Sequence, residues 1–290
     1  ADKLANSINS AITANTAKTG ISSAQTSKLS GIETSATADQ TAAQIQGHVT
    51  LQLTATSNIG LGSGAVDSIT TGDYNVGVGD NALTATTSGS RNTAIGYTTL
   101  QGNTTGDQNT ANGREALYTN STGSNNTAIG YQSLIFNTTA SSNTGVGHSS
   151  LRTNTTGEEN VAVGARALYA NTTGSYNNAL GKGALTTNTT GTKNAAFGYS
   201  ALELNTTGDF NVAVGHKALE ANTTADNNTS VGFESLNLNT TGASNTALGR
   251  GALERNSTAS NNTAVGYYAL IYNTTGANNT GTGTQSLQNN

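Results

Sequence analysis

The sequence is defined first by what it lacks, because its 290 residues include no cysteine, proline, methionine or tryptophan. Without cysteine, the chain forms no disulfide and no thiolate metal site. Only 10% of its residues are charged, against roughly a quarter in an ordinary soluble domain. Such a bias is typical either of disorder or of a regular repeat, and periodicity distinguishes the two.

The sparse charge also limits the partners of the chain. The net charge is −4 and the isoelectric point is about 5.3, so no basic surface is available for phosphates and we expect no nucleic-acid partner. No apolar run approaches the ~20 residues of a membrane-spanning helix, so we expect no membrane insertion. Because the chain begins at Ala1 and contains no methionine, we interpret it as a processed product or a segment of a longer polypeptide.

A repeat of 17 residues, without any insertion, fills the chain from residue 58 onward. Its unit reads N-T-A-[IV]-G-Y-x-A-L-x-x-N-T-T-G-x-x, and its first glycine, here called the repeat glycine, occurs in 14 copies. We number positions from this glycine, so that −1 precedes it and +1 follows it. Asparagine occupies −4 in every copy, leucine occupies +4 in 13 copies, and asparagine occupies +7 in the last 12.

A constant period of 17 residues predicts that each copy is one turn stacked on the turn before it. Pairs of helices need repeats of about 33 residues or more, so helical repeats are excluded. The predicted fold is all-β, a parallel β-solenoid or β-roll of 14 turns. We expect one strand over N-T-A-[IV]-G, a second strand near x-A-L-x-x, and a corner at N-T-T-G.

The core of this solenoid is expected to be narrow. The branched residues at −1, such as Ile95 and Ile129, would form one apolar ladder and the leucines at +4 another. Asn112 would then place a polar side chain in the first ladder. Because so thin a core gives little stability, we expect the chain to oligomerise.

The asparagine at +7 opens an N-[TS]-T string in most copies and admits two interpretations. Such strings match N-glycosylation acceptors. Alternatively, the asparagines stack and hydrogen-bond along the rod, which we favour because their spacing is that of the repeat. Structural ladders are therefore expected at two sets of positions: Leu100, Leu117, Leu134 and Leu151, and Asn103, Asn120, Asn137 and Asn154.

No pattern indicates a catalytic, metal or cofactor site. His48, His148 and His216 share no ligand-like spacing. Glu203 and Glu220 occupy one repeat position on adjacent turns, which is near the carboxylate separation of a retaining glycosidase, but nothing else suggests a cleft. We therefore expect no enzyme, no metal and no cofactor.

Aromatic residues directly follow the repeat glycine in five copies. On the rod surface they would either cover a seam between chains, which we favour, or stack against sugars, whose apolar faces match aromatic rings. These five candidate contact residues are Tyr97, Tyr131, Tyr199, Phe233 and Tyr267.

The first 57 residues lack the repeat and contain a helical stripe and a strand pattern. Apolar residues recur at helical spacing at Leu4, Ile8 and Ile12, and the alternation of Leu51 and Leu53 predicts a strand leading into the solenoid. The chain is thus expected to have three parts: a helical or coiled-coil stalk over 1–20, a connector of short helices and a strand over 21–57, and the solenoid over 58–290.

Within this segment, residues 28–33 (KLSGIE) and 36–45 (ATADQTAAQI) resemble a module common in the tail fibres of bacteriophages. The preceding residues 12–21 (ITANTAKTGI) resemble another such fibre element. The resemblance implies a homotrimeric fibre on a virion, joined to other tail proteins. It also implies that the fibre attaches to a host polysaccharide or envelope protein.

The 17-residue units separately resemble the head repeats of trimeric autotransporter adhesins, whose N-x-[VA]-[IA]-G strings form β-rolls, although those repeats are usually shorter. This implies an alternative function as an adhesin head on a bacterial surface. A third hypothesis is an ice-binding solenoid. Flat ice-binding arrays need threonine on a strand face, and the threonines of the N-T-T corner are expected in a turn.

Overall fold

The computed structural model describes residues 51–53 and 57–289, which form a parallel β-solenoid with a 17-residue turn. The all-β fold and the period predicted from the sequence are confirmed. The helices expected before residue 50 lie outside the described residues. The strands are β1 Leu51–Leu53, β2 Ile59–Leu61, β3 Val76–Val78, β4 Thr93–Ile95, β5 Thr110–Asn112, β6 Thr127–Ile129, β7 Thr144–Val146, β8 Val161–Val163, β9 Asn178–Leu180, β10 Ala195–Phe197, β11 Val212–Val214, β12 Thr229–Val231, β13 Thr246–Leu248, β14 Thr263–Val265 and β15 Thr280–Thr282.

All fifteen strands form one sheet in chain order. From β2 to β15 each strand is parallel to the next, and every residue pairs with its equivalent in the neighbouring turn, as Ala94 does with Ala111. β1, where a strand was expected, runs antiparallel to β2 with Leu51 opposite Leu61. It therefore covers the edge that the first turn would otherwise expose.

The segment x-A-L-x-x does not form the second strand that we expected, so that prediction was wrong. Its residues at +2 and +4 adopt positive φ angles, 54° at Gln132 and 52° at Leu134, and two such residues turn the chain too sharply for a strand. The backbone still bonds to the next turn, because Leu134 N donates to Ser150 O at 3.0 Å. Burial of the leucine, about 1.5–3 kcal/mol, offsets a left-handed conformation that costs about 1–2 kcal/mol.

The apolar core consists of the leucines at +4 and of small residues at −2 and +3, and the residues at −1 are not part of it. The leucines at +4 are fully buried, whereas Ile95 and Ile129 at −1 are 41% and 40% exposed, so the inward ladder predicted at −1 was wrong. Side chains alternate along a strand, and the small residue at −2, such as Ala128, is the one that points inward. Asn112 accordingly faces outward and is exposed, so no polar group interrupts the core there.

The repeat glycine stacks on its equivalent in the next turn. Gly130 has a φ of +126°, and a Cβ atom on it would lie 2.6 Å from the carbonyl oxygen of Gly147. Both the backbone conformation and the close approach therefore require glycine at this position.

Two asparagine columns, at −4 and +7, run through the interior. Asn126 is typical of the first: its Nδ2 donates to the carbonyl oxygen of Ala140 at 2.9 Å, and its Oδ1 accepts from the backbone N–H of Asn143 at 2.9 Å. In the second, Asn120 Nδ2 donates to Asn103 Oδ1 at 2.8 Å. Each amide thus satisfies polar groups of its neighbours, which makes these columns compatible with burial.

We expect Gly130→Ala to lower the free energy of unfolding by about 3 kcal/mol. The alanine would have to adopt a strained positive φ, and its Cβ would collide with the backbone of Gly147. Chemical denaturation followed by circular dichroism measures the change. Gly183→Ala is the matched control, since its Cβ would meet no atom closer than 3.4 Å and Arg166 holds a positive φ at the equivalent position one turn earlier; its effect should be about 1 kcal/mol. Equal losses in the two variants would contradict the glycine-stacking interpretation.

We expect Asn126→Asp to destabilise the rod more at pH 7 than at pH 4. The substitution removes the Nδ2 donor to the carbonyl oxygen of Ala140 and places a carboxyl group in the interior. Burial raises the pKa of that carboxyl group. A raised folded-state pKa means that stability present at low pH is lost as pH rises through that pKa. Thermal melts at the two pH values test this, with Asn125→Asp as the control, because Asn125 is exposed. A deficit that does not depend on pH would contradict the prediction.

Candidate functional site: an aromatic and cationic column

The residues that directly follow the repeat glycine form a column on the outside of the solenoid, here called the +1 column. Neighbours in this column are one turn apart, which is ~4.8 Å along the axis. The eleven members that follow strands β4 to β14 are exposed, except one half-buried alanine. From one end to the other they are Tyr97, Arg114, Tyr131, His148, Ala165, Lys182, Tyr199, His216, Phe233, Arg250 and Tyr267.

Aromatic and cationic residues alternate along the +1 column. From Tyr97 to Tyr267, arginine, histidine or lysine occupies every second turn, in the order Arg, His, Lys, His, Arg. Tyrosine or phenylalanine occupies the turns between them, and within this range only Ala165 departs from the pattern. The end turns, which carry Ser63, Asp80 and Thr284, do not continue the alternation. The column therefore has its own period of two turns, twice that of the backbone.

The two arginines of the column lie between the rings of adjacent turns, whereas Lys182 has a ring, that of Tyr199, on one side only. The Arg114 guanidinium carbon is 5.8 Å from the ring centre of Tyr97 and 5.8 Å from that of Tyr131. Arg250 lies 5.3 Å from the ring centre of Phe233 and 5.9 Å from that of Tyr267. These distances are within the range of cation–π attraction, so each ring pair holds the charged group that it encloses.

The two histidines of the described residues belong to the same column. The His216 ring is 5.2 Å from the rings of both Tyr199 and Phe233 and nearly parallel to them, while His148 is 5.4 Å from Tyr131. Their spacing along the sequence showed no ligand-like pattern, and His48 lies outside the described residues. Aligning the copies on the repeat glycine would have placed His148 and His216 with the five aromatic residues, because all seven share position +1.

One arginine of the column has a carboxylate partner. Arg114 Nη2 lies 2.9 Å from Glu115 Oε1, and Gln132 Nε2 donates to Glu115 Oε2 at 2.7 Å. The hydrogen bond from Gln132, together with Arg114, holds the pKa of Glu115 below its ordinary value. Glu115 therefore stays ionised and neutralises part of the charge at this end of the column.

The column is interrupted at Ala165, where the short side chain leaves an open depression of about 110 Å³. Arg166, Lys182, Tyr199 and Glu203 are among the residues that line it. The cations of Arg166 and Lys182 and the ring of Tyr199 thus line a depression at the turn where the aromatic residue of the column is absent.

A second exposed surface is the outward side of the sheet, here called the apolar strand face. It consists mainly of the residues at −1, which are aliphatic or aromatic in 12 of the 14 turns. Seven of these twelve side chains are exposed, from 36% at Val214 to 47% at Leu248. The other five are half-buried: Leu61, Val78, Val146, Val231 and Val265. An apolar strip of this kind is typical of a surface that contacts another molecule.

Among the residues that the structure describes, no three histidine or acidic side chains are grouped so that they could hold a metal ion. Glu220 pairs with Lys217 at 3.0 Å, and it accepts a hydrogen bond from Asn237. The part of the chain that the structure describes has no helix able to cross a lipid bilayer.

Comparisons of the chain with protein-family models, with curated proteins and with solved structures give no match. The features of the chain that bear on its function are the +1 column, the apolar strand face and the sequence of residues 12–45.

Proposed function

We propose that this chain is the rod of a bacteriophage tail fibre, a homotrimer on the virion that attaches the particle to the surface of its host. The observation that carries the proposal is the apolar strand face, which follows an unbroken stack of 14 parallel strands. At ~4.8 Å per turn the rod is about 65 Å long. A rigid rod of this form can hold a binding surface at a distance from the particle and repeat the same contact at every turn. The resemblance of residues 12–45 to fibre modules favours a phage origin.

The apolar strand face supports self-association. A strip about 65 Å long and about 10 Å wide offers roughly 650 Å² per chain, which is near the ~800 Å² that each partner contributes to a stable interface. In a trimer each chain meets two neighbours, so the strip would be covered. Association of this kind would remove the exposed aliphatic groups from water and thicken a core that is thin in one chain.

Attachment would come from many weak contacts made at once. A solenoid presents the same surface at every turn, and three chains present it three times. Binding modules linked in this way gain affinity without any new type of contact. The same reasoning applies to the head of a bacterial trimeric adhesin, which is the alternative that the 17-residue units support.

Ice binding remains a second candidate because of one specific observation. Threonine occupies the outward position −3 on four successive strands, at Thr93, Thr110, Thr127 and Thr144. Sequence reasoning weighed only the threonines of the N-T-T corner and so counted their location against this function. If the chain binds ice, its solution shows thermal hysteresis, and a freezing point equal to the melting point discards the hypothesis.

We expect the chain to have a mass in solution of three times the 29.1 kDa of one copy. Replacing Ile95, Ile129 and Val163 together by asparagine should shift that mass to one copy without loss of β structure, because Asn112 already occupies this column. Sedimentation or light scattering at micromolar concentration measures the change. The matched control replaces the exposed corner residues Thr105, Thr122 and Thr156 by asparagine. A single-copy mass for the unaltered chain would overturn the trimer.

The virion location is tested with antibodies against the solenoid. Applied to phage particles and to cell envelopes from the culture that carries the gene, they should label the tails of the particles in electron micrographs. Labelling confined to the cell envelope would replace the phage fibre with the bacterial adhesin.

A further inference from the structure

We propose that the +1 column is a binding track for a linear anionic polysaccharide that carries an acidic group on every second sugar. The inference rests on the proposed function, since it names the class of host molecule that the rod would contact. It concerns the side of the rod defined by position +1 and leaves the apolar strand face to self-association.

The spacing of the column is the first argument. Equivalent groups recur every two turns, which is ~9.6 Å along the axis. Two pyranose rings of an extended polysaccharide cover about the same distance. A chain lying along the rod would therefore meet one aromatic ring and one cation for each pair of sugars, from Tyr97 to Tyr267.

The chemistry of the two kinds of group is the second argument. An exposed aromatic ring packs against the apolar C–H face of a sugar, and a guanidinium or ammonium group binds a carboxylate or sulfate. Because the rings of adjacent turns hold Arg114 and Arg250, these two side chains lose less freedom when a ligand binds. A ligand with alternating neutral and acidic sugars matches both sets of groups at once.

Charge segregation is the third argument. The chain as a whole carries a net charge of −4. Between Tyr97 and Tyr267, however, the +1 column contains arginine, lysine and histidine and no acidic residue. The permanent charges are Arg114, Lys182 and Arg250, and the histidines add charge when they are protonated. Nearby acids are Glu115, beside Arg114, and Asp80, which occupies +1 in the turn before Tyr97.

A purely structural role does not account for the alternation. Exposed cation–π pairs stabilise a fold by only ~0.5–1 kcal/mol each, and the leucine, asparagine and glycine columns already hold the turns together. Such pairs also occur at position +12, where Arg91 lies over Tyr74 and Lys193 over Phe210. There they form isolated pairs, without a period that continues along the rod.

The interruption at Ala165 fits the same ligand. The depression there lacks a ring but brings Arg166 beside Lys182, so a sugar at this point loses a stacking partner and gains a second cation for its acidic group. Glu203 lines the same depression and would lie beside that group, so this turn is the least uniform part of the track.

The test is binding of the whole chain to three immobilised polymers. Hyaluronan has an acidic group on alternate sugars, polygalacturonate has one on every sugar, and chitosaccharides acetylated on every sugar are neutral. We expect the tightest binding to hyaluronan, with weaker binding as salt is raised. The triple variant Arg114→Gln, Lys182→Gln and Arg250→Gln should bind it about tenfold more weakly.

Two further variants make the outcome specific. The triple variant Tyr199→Ser, Phe233→Ser and Tyr267→Ser should also lose affinity about tenfold. The matched control, Arg91→Gln, Lys193→Gln and Arg255→Gln, removes the same charge from exposed positions outside the column and should bind like the unaltered chain. Unchanged melting temperatures show that all three variants fold.

The proposal is overturned if the unaltered chain does not bind hyaluronan, or if the control loses as much affinity as the column variants. Neither result bears on the mass of the chain or on antibody labelling of phage tails, so the tail-fibre proposal would stand without this ligand. Conversely, specific binding of hyaluronan together with labelling of the cell envelope alone would keep the track and reject the phage fibre.

Discussion

The structure depends on backbone hydrogen bonds between successive turns, which hold each residue above its equivalent in the turn before. Leu134 N donates to Ser150 O and Gly147 N donates to Ile129 O, and similar bonds recur around each turn. Every side chain therefore has a copy of its own position ~4.8 Å above and below. A residue type can fill a column only if it is compatible with itself at that distance.

The self-compatibility requirement explains the polar interior. A primary amide both donates and accepts, so asparagine can bond to asparagine without leaving an unsatisfied group. Asn120, for example, donates to Asn103 and accepts from Asn137. A column of buried aspartates would repel itself and a column of lysines would offer only donors. Leucine stacks on leucine for the simpler reason that apolar groups need no partner, and glycine stacks on glycine because only a missing side chain lets the backbones approach.

The same requirement shows what the sequence could predict and what it could not. The period, the strand at T-A-[IV] and the set of self-compatible columns follow from the repeat. The direction of the −1 side chain does not, because a strand of three residues has too few positions for alternation to show its inner face. The variation at −1, including Asn112 and Thr282, was a usable signal of exposure, as was the constant small size at −2. The left-handed leucine at +4 could not be inferred, since local propensity opposes it and only burial of its side chain stabilises it.

Like charges are the hardest groups to place in such a stack. Cations on every turn would stand ~4.8 Å apart and repel one another strongly. Placing them on alternate turns doubles the distance to ~9.6 Å, beyond the ~8 Å over which physiological salt screens exposed charges. Serine, threonine or asparagine, which cover much of the remaining surface, would serve equally well as neutral spacers. In the +1 column the spacers are aromatic in five turns. Electrostatic spacing thus explains why the cations alternate, but it does not explain the rings, and a ligand that binds both groups does.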